Sequence, residues 1–350
     1  MKKLILTIAV FLPALLAHSQ EADGGSGFGT VSVIPRLEAS PMFSTTGEGH
    51  NFSFPDILGT SSLYTTFEGD ISEHFSFFIC NHWLSTDPKS LYLDTFHSDS
   101  TNWLDFLYFT YKTGFFSLTA GKNVLLTGGE EYDPYDFDCH NQLLSSLWNN
   151  LPAYQWGLTA SFDLPWEDNT ISAQMATSPY SEKFFQEGLF VYSLGWNGCI
   201  AGCIYPKWTI SLFQDTAEDR AHLVPLADIS QRFCIGDNFS LDLQYRNGVG
   251  GDGEELPLIA RGHSALAGLT FTNNAENLDV FARGHYEHIN GLGDNWIAGA
   301  GVHYYPLKNS QDLRIHALAS WNSYDNFITA AVGLSYNFNF KVGKCRGKKQ

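Results

Sequence analysis

Apolar and polar residues alternate along about 16 separate stretches of this 350-residue chain. The stretches are roughly 30–43, 62–70, 74–84, 103–112, 114–122, 156–163, 169–177, 188–196, 207–214, 227–235, 239–247, 264–272, 278–287, 296–305, 313–321 and 327–340. In one of them Phe239, Leu241 and Leu243 alternate with Ser240 and Asp242. Successive side chains of a strand point to opposite faces. The period of two therefore predicts strands that each have one apolar and one polar face.

The connections between these stretches alternate in length. Odd-numbered connections are mostly long, as at 85–102 and 123–155, whereas even-numbered ones are mostly short, as at 112–114. Two connections break the pattern, because 197–206 is long for a turn and 322–326 is short for a loop. Transmembrane barrels combine short turns at one end with long loops at the other. We therefore predict an all-β fold, a transmembrane up-and-down antiparallel β-barrel of about 16 strands.

The first residues have the pattern of an export leader. Lys2 and Lys3 precede an apolar run from Leu4 to Leu16, and a small-x-small site follows just before Gln20. The run is too short for a membrane-spanning helix, and no apolar run of eighteen residues occurs later. We expect a signal peptide at 1–19, a barrel at 20–340, a basic tail at 341–350, and location in the cell outer membrane.

The connection 123–155 is the longest in the chain, and it is not composed like a disordered segment. It contains aliphatic residues from Val124 to Leu147, followed by Trp148. Ordered loops of this length are usually functional. We expect this loop to fold into the lumen of the barrel.

An acidic cluster lies in the middle of this loop. We expect the pore constriction to be formed by Glu130, Glu131, Asp133, Asp136, Asp138 and His140. Two alternatives stay open: a solvated loop tip, or a calcium site, because carboxylate oxygens bind Ca²⁺ although the EF-hand spacing is absent. We predict no metal site and no cofactor.

Charged and histidine side chains also fall on the polar faces of the predicted strands. We expect the pore to be lined by Arg36, Glu38, Arg232, Asp242, Arg246, Asp279, Arg283, His285, Glu287, Arg314 and His316. Rings of carboxylates favour cations and rings of arginines favour anions. The net charge of −17 favours the carboxylates, and it also argues against a nucleic-acid partner.

Two of the six cysteines, Cys199 and Cys203, are close neighbours in sequence. They could form a local disulfide in a turn, remain free thiols, or contribute to a metal site. Two thiols fall short of the four ligands of a structural zinc site. The sequence leaves these alternatives open.

The layout is similar to that of bacterial general porins, in which the third loop folds into the lumen. Residues 107–164 more narrowly resemble the phosphate-selective porin O/P family, with a strand at 108–111, the turn Thr113-Gly114, the step Ala120-Gly121-Lys122, a long loop, and a strand that opens with Trp156-Gly157. The leader ending in Ser-Gln is similar to those of Bacteroidetes. The resemblance implies an outer-membrane porin that forms a homotrimer. It also implies ladders of arginine and lysine, whereas the polar faces here mix both signs of charge.

These observations together predict a porin, a passive diffusion channel for small hydrophilic solutes or ions with a mild preference for cations. Its other partner is expected to be outer-membrane lipid. The alternatives are a phosphate- or anion-selective porin and a structural or adhesive barrel that transports nothing. An enzyme is not expected, because no Gly-x-Ser-x-Gly motif or marked Ser–His pair occurs in the sequence.

Overall fold

A computed structural model describes residues 27–46, 49–54, 60–83, 104–131, 143–149, 151–166, 168–181, 188–217, 220–248, 262–308, 310–324 and 326–343. Its strands are β1 (Gly27–Ala39), β2 (Met42–Thr46), β3 (Gly49–Ser53), β4 (Ser62–Asp70), β5 (Phe75–His82), β6 (Leu104–Thr113), β7 (Phe116–Val124), β8 (Tyr154–Asp163), β9 (Thr170–Thr177), β10 (Phe190–Asn197), β11 (Ile204–Ala217), β12 (Arg220–Ile235), β13 (Phe239–Gly248), β14 (Gly262–Asn273), β15 (Leu278–Ile289), β16 (Gly293–Tyr304), β17 (Leu313–Asn322), β18 (Phe327–Tyr336) and β19 (Phe338–Gly343). One short helix, α1 (Ser146–Asn149), lies in the long loop.

The strands form one closed antiparallel sheet. From β4 to β18 each strand pairs with its neighbours in chain order, and β1 closes the sheet by pairing with β4 on one side and with β18 and β19 on the other. The first spanning strand is interrupted at Pro41, between β1 and β2, and the last at Asn337, between β18 and β19. The segment β3 only extends β2 as a hairpin. The barrel therefore has sixteen spanning strands, which confirms the predicted fold class.

The two faces of the wall differ sharply in exposure. On β13, Leu243 and Tyr245 are exposed, whereas Asp242, Gln244 and Arg246 are buried. The same division holds on β18, where Val332 is exposed and Thr329 is buried. An apolar outer face suits hydrocarbon, and a polar inner face suits an aqueous or protein-filled lumen. The facing predicted for these strands is confirmed.

The turns at one end of the barrel are tight. Gly114, between β6 and β7, and Gly236, between β12 and β13, adopt positive φ angles of 48° and 62°. This is the left-handed region that glycine enters without steric cost. The first residues of β1 and the last residues of β19 lie at the same end, since Gly27 pairs with Gly343.

The chain's last strand is longer than expected. Lys341 pairs with Thr30, so the first three residues of the predicted basic tail belong to β19. Residues 1–26, which include the predicted signal peptide, and residues 344–350 lie outside the described part of the chain. In the described residues, no helix has the length and apolar character needed to cross a membrane.

Candidate pore constriction

The long loop packs against the inside of the barrel through two apolar contacts. Leu125, Leu144, Trp148 and Leu151 form one cluster with wall residues of β10 to β12 that include Phe213. In the second cluster, Leu143 packs with Phe281, Ile297, Leu318 and Ala331, which lie on β15 to β18. Large apolar side chains on an otherwise polar inner face would be costly beside water. The described parts of the loop cover them, so these parts lie in the lumen as predicted.

Between these two contacts, Glu131 of the loop enters a buried charge network. Its Oε2 lies 2.5 Å from Nη1 of Arg246, and the Nε of Arg246 donates a 2.8 Å hydrogen bond to Asp228. The Glu131 Oε1 lies 3.3 Å from Nδ1 of His285 and accepts a 2.9 Å hydrogen bond from the backbone N–H of Ser145. The carboxylates of Glu131 and Asp228 therefore both contact the guanidinium of Arg246. The contact from Glu131 holds the loop to β13.

The pKa of the Glu131 carboxyl reflects these opposing influences. Burial raises the pKa, but the positive charge of Arg246, followed by His285 and the hydrogen bonds from Ser145, lowers it to about 2. The Arg246 guanidinium also lies 5.3 Å from the ring centroid of Trp148, a distance at which a cation and an aromatic face attract each other. Glu131 is therefore ionised at neutral pH, and its charge is compensated by Arg246.

The negative charge of Glu130 is likewise compensated by cations on the neighbouring strands of the wall. Its Oε2 lies 3.1 Å from Nζ of Lys207 and 2.9 Å from Nη2 of Arg232. Its backbone N–H donates a 2.8 Å bond to Gln244, and its carbonyl accepts a 3.2 Å bond from Arg283. Both acidic residues of the described loop are thus bound to wall cations.

The residue that precedes this pair must be glycine. Gly129 has a φ angle of 98°, and a Cβ placed on it would lie 2.6 Å from the side-chain nitrogen of Gln244. The left-handed backbone and the close approach both exclude a larger side chain. This glycine lets the loop come close enough to the wall for Glu130 and Glu131 to reach their partners.

The start of α1 is held by a third carboxylate. Glu287 accepts hydrogen bonds from the backbone N–H and the hydroxyl of Ser146, at 2.8 and 2.6 Å. Asn295 donates another at 2.6 Å. The side chain of Ser145 accepts a bond from the N–H of Trp148, so the N–H groups of Ser146 and Trp148, which lack partners within the helix, are both satisfied.

The structure brings five of the predicted pore-lining residues to this loop: Arg232, Arg246, Arg283, His285 and Glu287. A sixth, Asp242, pairs with Arg232. Arg36, Glu38 and His316 form a separate buried group, with Glu38 2.6 Å from Arg36 and 3.0 Å from His316. Arg314 lies elsewhere, on β17. Asp279 pairs across strands with His303. The predicted loop residues Asp133, Asp136, Asp138 and His140 lie outside the described residues.

Three residues of the network were not singled out from the sequence: Lys207, Asp228 and Gln244. A signal was present for Asp228, because Asp228 and Ser230 alternate with Ala227 and Ile229 and therefore share the polar face of their strand. Lys207 is the first residue of the predicted stretch 207–214, whereas β11 begins three residues earlier, at Ile204.

Two cavities lie along β1, β4 to β6 and β17 to β19. One cavity of about 560 Å³ is lined by Gly29, Thr30, Glu68, Gly69, Asp70, Ser76, Phe77, Phe78, Tyr108, Thr110 and Lys341. A second, of about 340 Å³, is lined by Ser32, Ile34, Thr66, Glu68, Tyr305, Gln311, Asp312, Arg314, Ser335, Asn337 and Asn339. Both cavities border Glu68 and lie toward the end with tight turns.

Four cysteines in the described residues are free thiols: Cys80, Cys199, Cys203 and Cys234. Cys203 is exposed in the turn before β11, and its carbonyl accepts a 2.8 Å bond from the N–H of Cys234. Cys199 and Cys203 are therefore not joined in this structure.

Comparison with known proteins identifies the architecture. No family model matches the chain, and no curated protein matches it in sequence. Among solved structures, the chain is similar to OmpF of Salmonella typhi in complex with daunomycin, at a TM-score of 0.60 and 11% identity over 89% of this chain and 98% of that one. It is also similar to the trimer form of OmpT, an outer membrane protein of Vibrio cholerae, at 0.57 and 13% over 89% and 99%. A mutant of the Rh. blastica porin matches at 0.52 and 11% over 88% and 100%.

These similarities, together with the closed sheet and its apolar outer face, define an outer-membrane β-barrel with the sixteen-strand fold of bacterial porins. At such low sequence identity the similarity concerns the fold. Because no family model matches, the resemblance to the phosphate-selective porin O/P family is not confirmed and stays a hypothesis.

Proposed function

We propose that this protein is a passive diffusion channel for small hydrophilic solutes and ions across the outer membrane. The observation that carries the proposal is the arrangement of the lumen: the docked loop packs against β10 to β12 and β15 to β18, while polar cavities lie along β1, β4 to β6 and β17 to β19, toward the end with tight turns. A barrel of this strand number is wide enough for an aqueous channel. A loop held inside it narrows the path without filling it.

We further propose a modest preference for cations, carried by a different set of carboxylates from those expected from the sequence. Glu130 and Glu131 contribute little free charge, because Lys207, Arg232 and Arg246 compensate them. The remaining cavities border Glu68, Asp70 and Asp312, against Arg314 and Lys341. At physiological salt the Debye length is about 8 Å, so these charges act on an ion in a narrow pore.

An anion-selective channel is the second candidate, and one observation favours it. The side chains of Lys207 and Arg232 remain 38% and 41% exposed although they contact Glu130. A solute that passed between the loop and β11 to β12 would therefore meet two accessible cations. Phosphate selectivity, which the family resemblance implies, would use such a path.

Recording from the purified protein in a planar bilayer under a KCl gradient tests the proposal. Discrete current steps with a reversal potential on the cation side are expected. A reversal potential on the anion side, with saturable block by phosphate, would establish the second candidate. A correctly folded barrel that gives no current would favour a structural or adhesive role, and the channel proposal would be withdrawn.

The proposal also covers the oligomeric state of the protein and the cleavage of its signal peptide. The similar OmpT structure is a trimer form, and we propose a homotrimer for this chain as well. We also propose cleavage of a signal peptide after Ser19. Native mass measurement in detergent and N-terminal sequencing of the mature protein test these two points separately.

A further inference from the structure

The inner faces of β4, β5 and β6 carry a continuous group of aromatic rings. Tyr64 stacks on His82 with ring centroids 4.3 Å apart. Phe78 lies 5.7 Å from Phe106 and 5.4 Å from Tyr108. The interior of a transmembrane barrel is ordinarily polar. Aromatic rings on the inner faces of these three strands therefore require an explanation.

The aromatic rings of this group differ in exposure. Tyr64 and Phe106 are buried, and Tyr154 packs on Phe106 at 5.1 Å. Phe78 and Tyr108, by contrast, are only half-buried and form part of the lining of the 560 Å³ cavity. The buried rings account for packing of the wall. The half-buried rings of Phe78 and Tyr108 present apolar surface to the open lumen.

Polar groups surround these two rings. Glu68 and Asp70 lie on β4, Ser76 on β5 and Thr110 on β6, and all four border the same cavity. Glu68 and Asp70 are exposed. The site thus combines a flat apolar surface with carboxylate and hydroxyl oxygens at its edge, the combination of an apolar lining and a few polar groups that is typical of ligand pockets.

We propose that this cavity, the aromatic pocket of Glu68, Asp70, Ser76, Phe78, Tyr108 and Thr110, binds pyranose sugars as they pass through the channel. This inference rests on the proposed function and names a solute class for it. A pyranose ring has C–H groups on its faces and hydroxyl groups around its edge. Its faces suit Phe78 and Tyr108, and its hydroxyls can donate to Glu68 and Asp70. Hydrogen bonds to ionised acceptors are stronger than those between neutral groups.

Size and charge are consistent with this solute class. A volume of about 560 Å³ is within the range of small-molecule pockets and accommodates one or two sugar rings. The two carboxylates outnumber Lys341, the one cation lining this cavity, so an anionic ligand such as phosphate is disfavoured. A purely apolar ligand would leave those carboxylates desolvated without partners. A neutral sugar ring can pack its C–H face against the aromatic rings and donate hydrogen bonds from its hydroxyl groups to the carboxylates.

Binding should be weak. A solute that permeates must enter a site and leave it again, so tight binding would close the channel. Two half-buried rings and a rim open to solvent provide a site of that kind. The expected behaviour is a brief, concentration-dependent reduction of the ion current when sugar occupies the pocket.

The test uses the full-length mature protein with glucose and maltose as probes. Isothermal titration calorimetry in detergent measures binding without requiring an open pore, and bilayer current in KCl measures partial block. Phe78→Ala and Tyr108→Ala should each weaken maltose binding roughly two- to tenfold, the range expected for loss of one aromatic contact. Phe109→Ala is the matched control, because Phe109 is the next residue on β6 and its ring is exposed on the outer face.

The outcomes separate this inference from the proposed function. Ion current without sugar block or calorimetric binding would overturn the sugar site and leave the channel standing. Sugar binding without any current would support the site and contradict the channel. Equal weakening by Phe78→Ala and Phe109→Ala would also overturn the inference, because the effect would then come from barrel stability.

Discussion

Glu131 and Arg246 are 115 residues apart in the chain, yet Oε2 of the carboxylate lies 2.5 Å from Nη1 of the guanidinium. Their side chains are 1% and 0% exposed. Breaking a buried ion pair by removing one partner leaves the other charge uncompensated. This pair therefore links the position of the loop, and with it the width of the channel, to one contact that can be removed.

Glu131→Gln should release the loop from the wall. The lost pairing costs about 3–5 kcal/mol, so we expect higher single-channel conductance and faster protease cleavage between Leu125 and Leu151. Asp294→Asn serves as the control, because Asp294 is exposed and lines neither cavity. A Glu131→Gln protein with unchanged conductance and protease resistance would show that the ion pair does not hold the loop.

Docking of the loop should be insensitive to pH until strongly acidic conditions are reached. The pKa of Glu131 is lowered from its ordinary value of 4.5 to about 2, so the carboxylate stabilises the docked state. That contribution is complete above about pH 4.5 and is lost as the pH falls toward 2. Conductance measured from pH 7 to pH 3 should begin to rise only below about pH 4.5. The rise should be absent in Glu131→Gln, and an equal rise in that variant would contradict this assignment.

Neighbouring residues on opposite faces of β18 should tolerate arginine very differently. Leu334→Arg places a charge on the exposed outer face and should cost about 2–4 kcal/mol if it lies near the bilayer midplane. Ser335→Arg points a charge toward the 340 Å³ cavity and should permit assembly. Heat-modifiable migration on gels reports folding of each variant. Equal assembly of both would mean that the faces are reversed.

Gln244 is not a suitable site for that experiment, although the sequence alone places it on the polar face. Its side chain accepts a bond from the backbone of Glu130 and donates to Asp228, at 2.8 Å each. Gln244→Arg should therefore disturb the loop without preventing barrel assembly. Conductance and gel migration, measured together, distinguish these two effects.

Ion preference should follow the carboxylates of the open cavities. Glu68→Gln and Asp70→Asn should shift the reversal potential in a KCl gradient toward zero, and the shift should shrink as salt rises, because screening weakens exposed charges. Asp294→Asn is a control for a general loss of negative charge, since Asp294 is exposed and lies outside both cavities. Equal shifts in the control and the cavity variants would contradict local control of selectivity.

Much of the barrel could be predicted from local sequence. The period of two assigned Leu243 outward and Arg246 inward, because a strand alternates its side chains whatever its partners are. The alternation of turn and loop lengths indicated the up-and-down topology, because adjacent antiparallel strands need only short connections. The loop's apolar residues predicted that it would pack against the wall. None of these inferences required knowledge of contacts distant in sequence.

The sequence determined which residues face the lumen, and the tertiary structure decided what each of them does there. Glu131 and Glu68 are both acidic and both lie inside the barrel, but one is buried against Arg246 and the other borders open space. Local pattern cannot separate them, because charge compensation depends on which residues the closed sheet brings together. The aromatic pocket has the same origin: Phe78 and Tyr108 are ordinary strand residues until β5 and β6 pair and place their rings side by side.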